Sequence, residues 1–268
     1  TIPRTGLMER VKTQISDGRV LDLIEAYLEQ EVMETAKRWI PERGTPQGAV
    51  ISPLLSNIYL DPLDHIMGEA GIEMVRYADD FVILCRSKEA AHRALELVRE
   101  WTARAGLTLH PEKTHIVNLH EGGSFDFLGY HFENGRHWPR KKSLEKLREM
   151  MRVKTRRTNG LSLEMIIENV NRTLEGWFEY FKHSYKTTFP YLDGWIRMRL
   201  RSFIEKKKWP AGMNWKYPND HFKSLGLVSL ASLLGMRPRQ LSFAGMAQPY
   251  RRAVCGKSAC TVRRGERW

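Results

Sequence analysis

The stretch R76-Y-A-D-D-F-V-I-L-C-R-S87 sets two adjacent carboxylates, Asp79 and Asp80, between an aromatic residue and an unbroken apolar run. Its flanks, E73-M-V-R-Y77 and F81-V-I-L-C85, are short and rich in β-branched and aromatic residues, too brief for an ordinary helix. The pattern predicts a β-hairpin with Asp79 and Asp80 at its turn. Two carboxylates a few ångströms apart repel, and partial burial adds a desolvation cost. Two readings account for the pair. Asp is a good turn residue whose cost at a solvated tip is small. Adjacent hard oxygen ligands also suit a divalent cation such as Mg²⁺.

Outward from this hairpin the chain divides by charge. Residues 1–135 carry 14 Lys+Arg against 21 Asp+Glu, a net of −7, while residues 136–268 carry 29 against 10, a net of +19. Six of the eight tryptophans lie in the basic half, at 138, 177, 195, 209, 215 and 268. Basic side chains interleaved with aromatics suit a phosphate backbone with stacked bases, although a basic helical domain with an aromatic core reads the same way. No apolar run reaches about 18 residues and the first residues lack the apolar core of a signal peptide, so no membrane partner is expected, and the sparse cysteines imply a reducing, cytoplasmic setting. Cys85, Cys255 and Cys260 are too few and too uneven for a disulfide framework, and no second pair completes a zinc site with Cys255 and Cys260.

Residues 7–35 read as helical, with a break at Ser16, Asp17 and Gly18. Gly44, Pro46 and Gly48 form a tight loop; Ser52 and Pro53 then read as N-cap and first turn of a helix that Pro62 should kink or end. After the hairpin, residues 87–106 read as an amphipathic helix with Ala91, Ala94, Leu97, Val98 and Trp101 on one stripe and Gly106 as its stop. L107-T-L-H-P-E-K-T-H-I-V-N-L119 and F125-D-F-L-G-Y-H-F132 alternate as strands. The mixture, without a glycine-rich nucleotide fingerprint, predicts an α+β sheet domain. Beyond residue 140 three helices follow, the first capped at Ser143 and the second at Ser162. The third carries Arg197, Arg199, Arg201 and Lys206, Lys207 and Lys208 facing away from Trp195, Leu200 and Phe203. The tail after about residue 247 has little apolar pattern and is expected to be mobile or ordered by RNA.

Five segments now stand in order: "GTPQGAVISPLLSNIYLDPLD" from Gly44, "RYADDFVILCRS" from Arg76, "GLTLHPEKTHIV" from Gly106, "FDFLGY" from Phe125 and "NRTLEGWFEYFKHS" from Asn171. In this order the sequence resembles the reverse transcriptase and maturase proteins encoded by bacterial group II introns, over nearly the whole chain. The resemblance implies a partial fingers and palm over residues 1–135, a helical thumb and maturase domain over 136–247, and a basic tail over 248–268. It implies RNA-directed DNA polymerisation by two-Mg²⁺ nucleotidyl transfer, with group II intron RNA, an RNA template, a DNA primer and a dNTP as partners. Asp79 and Asp80 would then be the palm carboxylates that hold the metals, whose charge offsets their repulsion. Gly44, Pro46, Gln47 and Gly48 would lie beside the incoming nucleotide and template, with Tyr77 at the substrate, although a turn before a helix reads the same. Lys113 would neutralise or protonate pyrophosphate, with an ordinary loop lysine as the alternative. Phe127, Leu128 and Gly129 resemble a primer grip, although an apolar core strand would look alike. Arg197, Arg199, Arg201 and Lys206–Lys208 would bind RNA.

The chain departs from the family upstream of Leu7. There "TIPRTG" holds no carboxylate to act as the third palm ligand, which predicts a truncated copy with weak or absent DNA synthesis. No endonuclease pattern follows the basic helices, and no DNA cleavage is expected. Two competing functions remain: a non-catalytic RNA-binding splicing cofactor, and another bacterial reverse transcriptase of retron or CRISPR-associated type.

Overall fold

A computed structural model of the chain describes residues 2–29, 50–119, 121–206 and 216–235 in full, and the backbone alone of 32–34, 37–39 and 252–257. The chain forms two compact units, one from residues 1–123 with 248–268 and one from 124–247. The fold class is α+β, as the sequence predicts.

The first unit begins with helices α1 (Arg4–Gln14) and α2 (Gly18–Leu28). Asp17 separates them and caps α2, its carboxylate accepting from the amides of Arg19 (2.8 Å) and Val20 (3.4 Å). Helix α2 ends at Leu28, short of the expected residue 35, and a small hairpin β1 (Val32–Glu34) and β2 (Lys37–Trp39) follows. Helix α3 (Ser52–Glu69) is capped at Ile51, one residue before the expected cap. It also runs through Pro62 rather than ending there. Leu55, Tyr59, Leu60, Leu63 and Met67 keep one continuous buried stripe across the proline, and that burial outweighs one missing backbone hydrogen bond.

Strands β3 (Glu73–Tyr77) and β4 (Asp80–Cys85) form the predicted hairpin with its turn one residue earlier than expected, at Ala78 and Asp79, so that Asp80 opens β4. Helix α4 (Lys88–Arg104) follows, capped by Ser87. Along β4 the residues Phe81, Ile83 and Cys85 enter the helix-packed core, while Asp80, Val82 and Leu84 share the other face. On α4 the buried stripe includes Leu95 as well as Ala91, Ala94, Val98 and Trp101, while Leu97, expected on it, is only half-buried. Strand β5 (His115–Asn118) is the next strand of this sheet in sequence, yet it does not pair with β4. Between them lies a strand from the far end of the chain, Arg252–Lys257, so the sheet order is β3, β4, the C-terminal strand, β5. Val254 is flanked by Ile83 on one side and Ile116 on the other, in antiparallel register with both. The expectation of an irregular tail is therefore corrected for residues 252–257, where alternation is weak but two open strand edges supply a full set of backbone partners.

The second unit opens with a three-stranded meander, β6 (Ser124–Phe127), β7 (Tyr130–Glu133) and β8 (Arg136–Pro139). This sheet lies wholly in the second unit, twelve residues ahead of the 135/136 division read from the sequence. Its turns are Leu128-Gly129 and Asn134-Gly135, each with both residues at positive φ, the two-residue turn that matches strand twist. Helices α5 (Lys141–Lys154), α6 (Leu163–Phe181) and α7 (Thr188–Glu205) follow. Helix α5 starts before Ser143, whose hydroxyl donates to the Gly129 carbonyl at 3.1 Å instead of capping the helix. Short helices α8 (Asn219–Ser224) and α9 (Leu230–Gly235) complete a core of Leu147, Met151, Val170, Leu174, Phe178, Phe189, Leu200 and Phe222. Buried Asp193 caps α9 from outside, accepting from Ser229 Oγ (2.7 Å) and from the amides of Leu230 (2.9 Å) and Ala231 (3.1 Å). In chain order the C-terminal strand is β9.

Candidate functional site

Tyr77 and Asp80 are register partners, so the connection between β3 and β4 is the two residues Ala78 and Asp79. Ala78 sits at φ +53°, a conformation with a steric cost for any residue with a Cβ. Arg76 holds it there. Its guanidinium lies on both carboxylate oxygens of Asp64, donates from Nη1 to Asn57 Oδ1 at 3.0 Å, and donates from Nη1 to the Ala78 carbonyl at 3.0 Å. One side chain, 10 % exposed, thus ties α3 to the turn that presents Asp79. Asp79 and Asp80 are both half-buried, and Asp80 lies on the β4 face opposite the helical core.

A cleft of about 800 Å³ opens beside this turn, lined by Gln14, Pro53, Asn57, Ile58, Asp61, Arg76, Tyr77 and Ala78. Tyr77 is 66 % exposed at its edge. Lys113 precedes β5 in a turn where the amides of Lys113 and Thr114 donate to the His110 carbonyl at 3.2 and 3.0 Å. Because β4 and β5 are both antiparallel to β9, they run parallel to each other one strand apart. Asp80 pairs with Lys257 and His115 with Cys255, so Lys113 precedes β5 at the same end of the sheet as Asp80, roughly 10 Å away by two strand spacings. The sheet thereby gathers Asp79, Asp80, Tyr77 and Lys113 at one end.

Other residues singled out in the sequence stand elsewhere. Phe127, Leu128 and Gly129 form the β6–β7 corner of the second unit, its carbonyls fixed by the Tyr180 hydroxyl on Leu128 (2.7 Å) and the Arg140 amide on Gly129 (2.8 Å). Gly44, Pro46, Gln47, Gly48, Lys207 and Lys208 lie outside the described residues. The face expected at Arg197, Arg199 and Arg201 is corrected in part. Arg201 is buried, donating to the Tyr217 carbonyl at 3.0 and 2.8 Å and to Asn219 Oδ1 at 3.2 Å while its guanidinium stacks 5.3 Å from the Phe222 ring. It fastens α7 to the segment before α8. Arg199 is half-buried and donates to Thr155 Oγ1 and to the Thr155 carbonyl, both at 3.2 Å, closing the C-terminus of α5. Arg197 is half-buried, and Lys206 is exposed with its ammonium 4.1 Å from the Phe203 ring. A period of 3.6 places Arg197 and Arg201 on one face and Arg199 opposite them, and a charge on an inward position reads from sequence like any other.

The donor set at the hairpin fits a divalent cation in part. Two successive carboxylates, half-buried at a fixed turn, supply hard oxygen ligands, while among the described residues no group of three His, Cys, Asp or Glu side chains converges. No helix of the described residues is long and apolar enough to cross a membrane.

Comparison with known sequences bears on this geometry directly. Residues 1–132 match the reverse transcriptase (RNA-dependent DNA polymerase) family, and residues 136–219 match the group II intron maturase-specific domain. The chain belongs to the group II intron reverse transcriptase and maturase family. Among its relatives, the retrovirus-related Pol polyprotein of the type-1 retrotransposable element R2 of Nasonia vitripennis is 33 % identical over 102 residues, covering 35 % of this chain and 10 % of that protein. Protein YkfC of Escherichia coli K12 is 28 % identical over 168 residues, 48 % of this chain and 43 % of the relative. The group II intron-encoded protein LtrA of Lactococcus lactis is 26 % identical over 124 residues, 44 % and 21 %. The chain spans less than half the length of each of these relatives. Polymerases of this family use divalent metal ions.

Proposed function

We propose that the chain acts in RNA-directed DNA synthesis and in splicing of a group II intron RNA. In this reading residues 1–135 serve as fingers and palm, 136–247 as thumb and maturase domain, and 248–268 as a basic tail. Asp79 and Asp80 hold Mg²⁺, which when bound activates a primer hydroxyl and neutralises the leaving pyrophosphate. The chain's own residues do the positioning. Arg76 fixes the turn, the cleft beside Tyr77 receives the incoming dNTP and the primer end, and Lys113 offers a cation or a proton to pyrophosphate from the same end of the sheet. Gln47 in the Gly44–Gly48 loop contacts template and nucleotide, Phe127–Gly129 support the primer, and Arg197, Arg199 and Lys206–Lys208 meet RNA phosphates. Free, buried Cys85 accords with a reducing cytoplasm.

The observation that carries this reading is the clamped hairpin, which places adjacent carboxylates at a strained turn beside an open cleft. Its test is primer extension on an RNA template by the 268-residue chain with Mg²⁺. The expected outcome is weak synthesis that Asp79→Ala or Asp80→Ala reduces by 10³-fold or more, a loss of roughly 4 kcal/mol in transition-state stabilisation. The carboxylates gather no third acidic ligand among the described residues, which favours a second reading, a splicing cofactor without polymerase activity. That reading requires intron splicing to survive both substitutions.

A further inference from the structure

Helices α5 and α7 carry arginines and aromatic rings in matched rows. Arg148 and Arg152 are four apart on α5; Tyr191, Trp195 and Arg199 are four apart on α7. The Arg148 guanidinium lies 5.7 Å from the Tyr191 ring centre, and the Arg152 guanidinium lies 5.9 Å from that of Trp195. One helical turn further, Arg199 donates to Thr155 at the end of α5. These are three rungs of one ladder, roughly 6 Å apart along the helices.

The ladder has an excess of positive charge. Helix α5 holds six Lys and Arg against two Glu, and Arg156 and Arg157 follow it, both exposed. Its acidic neighbour on the ladder is Glu149, which accepts from Arg152 at 3.1 Å across an exposed surface, a pairing worth little in water. The buried Nε of Arg148 has no hydrogen-bond partner among the described residues. Burial, and then the like charges of Arg152 and Arg157, hold the Arg199 pKa below its ordinary value. A neighbouring anion would relieve that crowding. Tyr191 is covered by Arg148 yet remains 65 % exposed, so part of its ring is open.

We propose that this α5–α7 ladder is a track for single-stranded RNA, in which Arg148, Arg152 and Arg199 take successive phosphates and Tyr191 stacks an unpaired base. Guanidiniums held on rings or on a helix end have little rotamer freedom left to lose, which suits phosphate binding. An open aromatic ring selects for unstacked bases, because those of a duplex are already stacked on one another. The proposal rests on the reading that the helical half binds RNA and adds the strand state and the residues, Arg148, Arg152, Tyr191 and Trp195, to it.

The test is fluorescence anisotropy of the full chain with a labelled oligouridylate and with a labelled RNA duplex, over a range of salt concentrations. Arg148→Gln with Arg152→Gln is expected to reduce the salt slope of oligouridylate binding by about 1.4, two charges at about 0.7 each. Tyr191→Ala is expected to weaken oligouridylate about ten-fold without changing the slope, and to leave duplex binding unchanged. The control is Arg93→Gln with Arg99→Gln, two exposed arginines of α4, for which the slope should hold. If ladder and control variants change the slope alike, the track is overturned while RNA binding by the chain stands. If Tyr191→Ala is silent and duplex is preferred, the single-strand assignment is overturned. Absence of RNA binding by the unsubstituted chain overturns both the track and the reading beneath it.

Discussion

Arg76 is the residue on which the hairpin turn depends, and although it opens the segment that carries the aspartates, that motif assigns it no role of its own. Removing its guanidinium leaves Asp64, 36 % exposed, able to regain water, so Arg76→Leu should cost about 2 kcal/mol, below the cost of breaking a fully buried pair. Urea unfolding would measure that loss. Arg76→Lys should recover little of it, because an ammonium cannot fork across Asp64 while reaching Asn57 and the Ala78 carbonyl. The aspartates were legible in the sequence because two carboxylates interrupt an apolar run. Arg76 was not, although β3 alternates exposed and half-buried residues and Arg76 falls on the half-buried side, where a charge requires an acidic partner. His137 gives a second residue-scale consequence. It packs between Tyr130 and Phe132, and burial lowers its pKa from 6.5, with His183 acting both ways through a backbone hydrogen bond and through charge. As pH falls below 6.5 the unfolded chain takes up a proton that the folded chain resists, so stability falls through that window until the folded pKa is passed. Melting temperatures from neutral to acid pH should show that decline, and His137→Gln should flatten it.

Among the elements, the helices were legible where apolar periodicity agreed with a local signal, as at the cap Ser162 and at the Ser16–Gly18 break, where Asp17 proves to be the cap of α2; the Ser87 cap of α4 was not read from the sequence. They were misjudged where packing overrode local signals. Pro62 reads as a stop, yet α3 continues because its buried stripe is continuous; Ser143 reads as a cap, yet its hydroxyl serves the β6–β7 corner. Strand β8 was missed although Asn134-Gly135 is a strong hairpin signal. Strand β9 had no such signal, because a strand filling a gap between two edges is specified by its neighbours more than by its own alternation. The backbone of Val254 sits between Ile83 and Ile116. Val254→Pro removes a donor from the middle of the sheet and should destabilise the first unit by about 3 kcal/mol or more. Hydrogen exchange across 81–85 and 115–118 would read the loss, and unchanged protection there would show that these strands stand without β9.

For the molecule as a whole, the acidic and basic halves of the sequence follow the bounds of the two family matches better than those of the two compact units. Charge changes sign near residue 136, and the two family matches meet there, while the compact units part at 123/124. The difference is physical. Net charge reports what a surface meets, whereas the β6–β8 meander joins the helical unit because Tyr130 packs on Tyr180 and Phe181 and donates its hydroxyl to the Tyr180 carbonyl. That burial, with the neighbouring Tyr180, raises the Tyr130 pKa to about 12 and keeps the phenol a donor.

The return of β9 to the first sheet also orders events in time. A ribosome would release β4 and β5, and then the whole of the second unit, before the strand that joins them emerged. Until then the sheet would carry two bare edges, one of them starting at Asp80. The newborn chain would thus be open to pairing with another strand for as long as more than a hundred residues take to be made, and that interval is when self-association should compete with folding.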